Sequence, residues 1–307
     1  MVAWRRLGAG PCPERLELLR RRSKSVVYRL PGVGPGGSHV IAKRAPWHDA
    51  VDERAVYEAV DALPVSRLAF HGFVPEPARE SAWLFMEDAG SEPWDPELPS
   101  HKQLSTLWLA RLHTASSRTS RAGALPARGL GWIRSHLDHA LREIPACSGN
   151  PALKPEARPV LDGVLRALAE VEACWPILER ACAEMPAALV HGDFAERNVR
   201  IRSDGGALRL LAFDWEVAGW GLPAVDLVDV DVAIYAEAVR RDWPGLDLAA
   251  CERFARLGLL LRGGVVAASW ACHSLDTPYP DEAVHELAVY ERKIGRALAA
   301  LGLREPA

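Results

Sequence analysis

The sequence predicts an α+β chain in two lobes: a small β-rich lobe over residues 1–86 and a larger, mostly helical lobe over 99–307. Three observations lead there. Short runs rich in Val, Tyr and Phe crowd the first segment. Apolar residues at helical spacing dominate after residue 100. Between them, residues 87–98 are polar and proline-rich, a hinge and linker where few contacts need to cross. A chain of 307 residues is long for one core and comfortable for two.

The elements follow in order. Glu17 to Leu19 and Ser25 to Leu30 read as strands, and the breaker cluster PGVGPGG follows them. His39 to Lys43 is a third strand. Val51, Ala55, Val56 and Val60 then share helical spacing over Ala50 to Leu63. Leu68 to Phe73 and Ala82 to Met86 complete the small lobe. Beyond the linker, helices are expected over Gln103–Ala115, Pro159–Leu178, Glu252–Leu261 and Asp281–Leu301. One β-like island interrupts them: Leu189–Val190, Asn198–Ile201 and Leu208–Phe213, the last two joined by the turn sequence SDGG at 203–206.

Composition excludes several classes. Formal net charge is −3, the pI is near 6.4 and no basic stripe stands out, so no nucleic-acid partner is expected. The start lacks an apolar signal core, and the apolar stretch Leu257–Cys272 is broken by Arg262 and Gly263-Gly264. The expectation is a cytoplasmic protein without a membrane partner. Six cysteines with no C-x-x-C pair read as reduced thiols. His136 and His139 share a helix face with no third ligand nearby, so a metal site is not expected there. Neither a Walker A motif nor a G-x-S-x-G elbow occurs.

The island holds the chemistry. Val190 to Asn198 reads VHGDFAERN and places Asp193 and Asn198 five positions apart at the end of a strand. Across the SDGG turn, Phe213-Asp214-Trp215-Glu216 ends another strand with an acid. Three oxygen-bearing side chains at neighbouring strand ends suit Mg²⁺, which takes one or two carboxylates, an amide oxygen and substrate phosphates. One carboxylate is then left to orient a hydroxyl.

This pattern resembles the aminoglycoside phosphotransferase family and its protein-kinase-like relatives. H-G-D-x-x-x-x-N is similar to the kinase catalytic loop, and FDWE-x-A-G-x-G-x-P-x-x-D-L over Phe213–Leu227 resembles the family's metal-binding segment. The resemblance runs over roughly residues 20–235. It implies a protein-kinase-like fold, ATP as co-substrate, Mg²⁺ as cofactor, and transfer of the γ-phosphoryl group to a hydroxyl of a small-molecule acceptor. It implies Asp193 as the catalytic base and Asn198 and Asp214 as metal ligands. Lys43, at the end of the apolar strand VIAK, would hold the α- and β-phosphates. Glu53, from a helix similar to the family's E-x-x-x-Y segment, would orient it; Glu58 is the second choice. Asp226 and Arg111-Leu112-His113 are given supporting roles.

Gly32 to Gly37 formally matches a G-x-G-x-x-G phosphate loop. Too few residues separate it from Lys43 for a strand, a turn and a strand, so it is expected to be the turn between the second and third strands. The phosphate-covering loop is placed instead at 22–25, with Ser23, Lys24 and Ser25 facing the nucleotide. The backbone around Met86, Glu87 and Ala89 resembles the family's hinge and would pair with adenine. The resemblance implies a small hydroxylated acceptor, an aminoglycoside or related metabolite, with a macrolide, choline, homoserine or a sugar as the alternative. A nucleotide-binding scaffold is the rival class, disfavoured because every mechanistic position is filled. A protein kinase is disfavoured because D-F-G and A-P-E are missing.

Overall fold

The computed structural model describes residues 2–22, 24–119 and 123–304. The chain divides into two compact units. The first comprises residues 1–126 and 193–219, the second 127–192 and 220–307.

The first unit opens with a short helix, α1 (Val2–Leu7), followed by β1 (Glu17–Arg21), β2 (Val26–Leu30) and β3 (Val40–Pro46). Helix α2 (Trp47–Asp61), β4 (Phe70–Glu76), β5 (Ser81–Glu87) and α3 (Pro99–Ser117) come next. The strands form one antiparallel sheet in the order β1-β2-β3-β5-β4. Side chains alternate across β3 as strand geometry requires. Val40 and Ala42 join Trp4, Leu30, Val74 and Phe85 in a core on one face. Ile41 and Lys43 are left for the other.

Residues 31–38 turn from β2 to β3, whose register pairs Leu30 with Val40. The glycines there serve the turn: Gly36 has φ +62°, a conformation that L side chains rarely adopt. Val56 and Val60 of the expected α2 stripe are buried, together with Ala50, Glu53 and Tyr57, while Val51 is exposed. An acid therefore sits in what should be an apolar stripe.

The second unit carries β6 (Ala127–Arg128), α4 (Leu130–Cys147), α5 (Ala157–Ala173), α6 (Trp175–Ala183) and β7 (Ala188–Val190). The expected single helix over 159–178 breaks at Cys174, because Pro176 in the first turn of α6 has no amide to continue the ladder. In the first unit, β8 (Val199–Asp204) and β9 (Ala207–Ala212) form the expected hairpin, turning through Gly205 and Gly206 at positive φ. After β10 (Gly219–Gly221), the second unit resumes with α7 (Val232–Val239), α8 (Leu248–Leu260), α9 (Ala267–Cys272) and α10 (Asp281–Ala300). A π-helical stretch, Leu261–Val266, joins α8 to α9. The apolar run 248–272 is long enough to cross a membrane by composition, yet two-thirds of it is buried within the fold. Gly258 lets α8 lie directly on the turn Pro223–Asp226; a Cβ there would meet the Ala224 carbonyl oxygen at 1.8 Å.

His136 and His139 both project from α4. His136 Nδ1 lies 2.8 Å from Ser269 Oγ, and its ring meets Trp132 edge-on at 4.4 Å. Burial first, then His139, Arg262 and His273, push its pKa down to about 4. Among the described residues no group of three or more His, Cys, Asp or Glu could hold a metal ion. An unfolded imidazole titrates near 6.5. Below that pH the unfolded chain takes up a proton that the folded chain refuses, so stability is lost as pH falls from about 6.5 to about 4. Unfolding midpoints measured across this window should drop in the wild type and drop less in His136→Asn. Parallel curves would show that His136 does not carry the effect.

Candidate active site

The first unit builds the site around Lys43. Its side chain is 5% exposed and its Nζ lies 2.8 Å from Glu53 Oε2. Nζ also bonds Asp214 Oδ1 and stands 3.3 Å from Glu216 Oε2. Burial opposes the charge, but Glu53, Asp214 and Glu216 outweigh it and hold the ammonium well above the usual lysine range. Burial likewise pushes Glu53 up, to about 7, against the pull of Lys43. Asp214 is held at about 2: burial opposes ionisation, and Lys43 and Arg20 overcome it. Glu58, the second choice, pairs with Arg54 on the surface.

Asp214 adopts a left-handed backbone, φ 65° and ψ 57°. Such strain in a non-glycine residue persists only where the surroundings fix it. Here they do. The Phe213 amide donates to the Asn198 carbonyl at 3.0 Å, tying the two loops together. Beside Asp214, Trp215 is 1% exposed. A column of rings runs from Phe194 through Trp108 and Trp215 to Tyr57, with centroids 5.8, 6.2 and 6.5 Å apart. The column couples the 193–198 turn, α3, the 213–217 turn and the helix that bears Glu53.

Asn198 is buried, and its Nδ2 donates to the Asp193 carbonyl at 3.0 Å and to Asp193 Oδ2 at 2.8 Å. That turns its amide oxygen away from Asp193, leaving it for a cation. Arg197 clasps both carboxylate oxygens of Asp193, at 2.6 and 2.7 Å. In the second unit, the Asp226 carboxylate accepts from the amides of His191 and Gly192 at 2.7 and 2.9 Å, fixing the backbone that leads into Asp193. His113 and Leu112 are buried in α3, and Asp231 caps α7.

A cavity of about 270 Å³ is lined by Lys43, Glu53 and Asp214 at one end and by Met86, Glu87 and Ala89 at the other. Val27, Ile41, Leu68 and Phe213 give it apolar walls. The hinge segment is pinned by Arg29 to Asp88 at 2.5 Å and by Arg202 to the Asp88 carbonyl at 2.6 Å. The Glu87 amide is spent on the Ala69 carbonyl, at 2.8 Å. An adenine bond from Glu87 must therefore use its carbonyl.

Ser23 lies outside the described residues. Lys24 is exposed, Ser25 closes a tight turn through an Arg22 N–H to Ser25 carbonyl bond of 2.9 Å, and neither lines the cavity. The cavity is lined instead by Leu19 and Arg20 of β1, and Arg20 reaches Asp214 Oδ2 at 3.2 Å. In the sequence, Arg20-Arg21-Arg22 has the look of a solvated strand edge. Only the bulge between Leu18 and Arg20, invisible there, aims Arg20 inward. Arg197 was likewise hidden, because nothing in its spacing separates it from a surface arginine.

The model of the phosphotransferase enzyme family matches residues 18–268. A search of curated protein sequences returns no match. Solved structures with this fold include choline kinase from Cryptosporidium parvum Iowa II, at 10% identity, covering 98% of this chain and 96% of that one, TM-score 0.66. A microcompartment-associated aminopropanol kinase is 17% identical over 99% of this chain and 98% of its own, TM-score 0.63. A thermostable mutant of the aminoglycoside phosphotransferase APH(4)-Ia, in a ternary complex with AMP-PNP and hygromycin B, is 16% identical over 95% and 98%, TM-score 0.58. At these identities the likeness establishes the fold.

The buried pair yields a stability test. Removing one partner of a buried ion pair costs about 3–5 kcal/mol, because the other is left uncompensated. Lys43→Met should destabilise by about that amount, and Lys43→Met/Glu53→Gln should be less destabilised than the sum of the single changes by more than about 1 kcal/mol. Additive losses in denaturant unfolding would show that Glu53 is not the partner of Lys43.

Proposed function

Because the chain belongs to the phosphotransferase enzyme family and is a kinase of small-molecule hydroxyl groups, we propose that it moves the γ-phosphoryl group of ATP to a hydroxyl of an aminoglycoside or related metabolite. The observation that carries this reading is the convergence of Lys43, Glu53, Asp214, Asn198 and Asp193 in one compact unit. The five-stranded sheet is the nucleotide lobe and 87–98 its hinge. Adenine lies in the apolar end of the cavity and pairs with the Glu87 carbonyl and the Ala89 amide. Lys43, oriented by Glu53, holds the α- and β-phosphates.

Asn198 and Asp214 fit a Mg²⁺ ion. One offers an amide oxygen whose nitrogen is already committed to Asp193; the other is a carboxylate held ionised. Hard cations of this size take few protein ligands and complete their shell with water and phosphate oxygens. When bound, the ion neutralises charge on the triphosphate.

Asp193 aligns the acceptor hydroxyl and takes its proton on Oδ1, the oxygen away from Asn198. Arg197 and Asn198 hold the carboxylate in one orientation, so little reorganisation is needed at the moment of transfer. Phosphoryl transfer asks for positioning and charge compensation more than for covalent chemistry. Both are supplied by groups held in place by burial and hydrogen bonds, Lys43, Glu53 and Asn198 among them.

An acceptor screen with Mg·ATP, reading ADP release across aminoglycosides, macrolides, amino alcohols and sugars, tests the reading. One class should stimulate ADP release. Tight nucleotide binding with no acceptor phosphorylated would favour a scaffold instead. With the acceptor in hand, Asp193→Asn should lower kcat on the order of 10²–10⁴-fold, the usual worth of a general base, while Mg·ATP affinity stays near wild type. Asp214→Asn should weaken both. Wild-type turnover by Asp193→Asn would remove it from the mechanism.

A further inference from the structure

The turn that should cover the phosphates contains no glycine over residues 22–25, and neither Lys24 nor Ser25 lines the cavity. One residue earlier the chain offers something else. A bulge between Leu18 and Arg20 shifts the register of β1, so that Arg20 lies opposite Val27 and its guanidinium points into the cavity. Nη2 stands 3.2 Å from Asp214 Oδ2, the one hydrogen bond that this group of five donors makes among the described residues. Its Nε is buried and has no hydrogen-bond partner. A buried donor left unpaired is costly, and a ligand oxygen would relieve that cost.

We propose that Arg20 is a triphosphate ligand: it takes the place of the glycine-rich loop and grips the nucleotide from the β1 side, opposite Lys43. This deepens the nucleotide reading above and rests on it. The charges around Asp214 support it. Two cations, Lys43 and Arg20, share that one carboxylate. Lys43 is 5% exposed and anchored by Glu53, whereas Arg20 is 35% exposed and makes one long contact. When Asp214 is engaged by another cation, Arg20 is the partner free to leave, and its planar fork matches two phosphate oxygens. In the free protein the same side chain pairs with Asp214. Arg20 therefore serves as an internal countercharge before binding and as a ligand after it.

The rival role is countercharge alone, and binding distinguishes the two. Calorimetry on the full chain with ATP in EDTA, Mg·ATP, inorganic tripolyphosphate and adenosine should be run on wild type, Arg20→Ala, Arg20→Lys and Arg21→Ala. Arg21, exposed and one residue on, controls for net charge. Thermal midpoints confirm that each variant is folded. Arg20→Ala should weaken ATP, Mg·ATP and tripolyphosphate by roughly 10-fold or more, the worth of a charge-assisted hydrogen bond. Adenosine binding should be unchanged, Arg20→Lys intermediate, and Arg21→Ala close to wild type. If Arg20→Ala binds Mg·ATP as tightly as wild type or more tightly, Arg20 only neutralises Asp214 and the proposal fails. If the wild type binds neither ATP nor tripolyphosphate, the nucleotide reading itself fails, and this one with it.

Discussion

An ammonium group that retains 5% of its exposure and stands among three carboxylates has to be held there by the fold around it. Lys43 comes from the middle of a five-stranded sheet, Glu53 from the helix that follows, and Asp214 and Glu216 from a turn some 170 residues later. Desolvation alone would strip the charge from a buried lysine. It stays charged because the carboxylates arrive together, and they arrive together only if strand, helix and turn are all in place. The ion cluster and the fold of the first unit are thus mutually dependent. The acid in the buried stripe of α2 would destabilise that helix's packing in any other setting.

The aromatic column sets the geometry that charge alone cannot. Ions attract without much direction, whereas packed rings fix distance and angle. Phe194, Trp108, Trp215 and Tyr57 link the 193–198 turn, α3, the 213–217 turn and α2, and the last two carry Asp214, Glu216 and Glu53 of the ion cluster. Asp193 sits one residue before Phe194, and Asp214 one residue before Trp215. Each of these two carboxylates is therefore next in sequence to an anchored ring. The strained backbone at Asp214 is tolerable on the same grounds, with the buried Trp215 on one side and the Phe213–Asn198 backbone bond on the other.

Much of this was legible in the residues. H-G-D-x-x-x-x-N and D-W-E stand at strand ends because the strands around them are plain in the Val and Leu content. The paucity of lysine, five against 32 arginines, made Lys43 conspicuous. The glycine cluster at 31–38 was separable from a phosphate loop by counting residues to Lys43, and it does turn β2 into β3. Legibility ended where geometry depends on something smaller than an element. A one-residue bulge in β1 decides that Arg20, not Lys24 or Ser25, faces the cavity. A backbone bond to Ala69 decides which polar group of Glu87 remains for a base. On α2, Val56, Val60 and Glu53 all face inward, and only Val51 of the expected stripe is exposed, because the buried acid takes its place beside Lys43. Helices α4, α7 and α9 gave no distinct signal amid an alanine- and arginine-rich background.

In the function proposed above, these side chains form one nucleotide site, with Asn198 and Asp214 at the metal and Lys43 at the phosphates. A crystal structure of the full chain with Mg²⁺ and AMP-PNP is the decisive test. Density is expected for the base against Glu87 and Ala89, for phosphates at Lys43, and for a cation touching both the Asn198 amide oxygen and the Asp214 carboxylate. A nucleotide bound elsewhere, or a cation bound to neither residue, would contradict it.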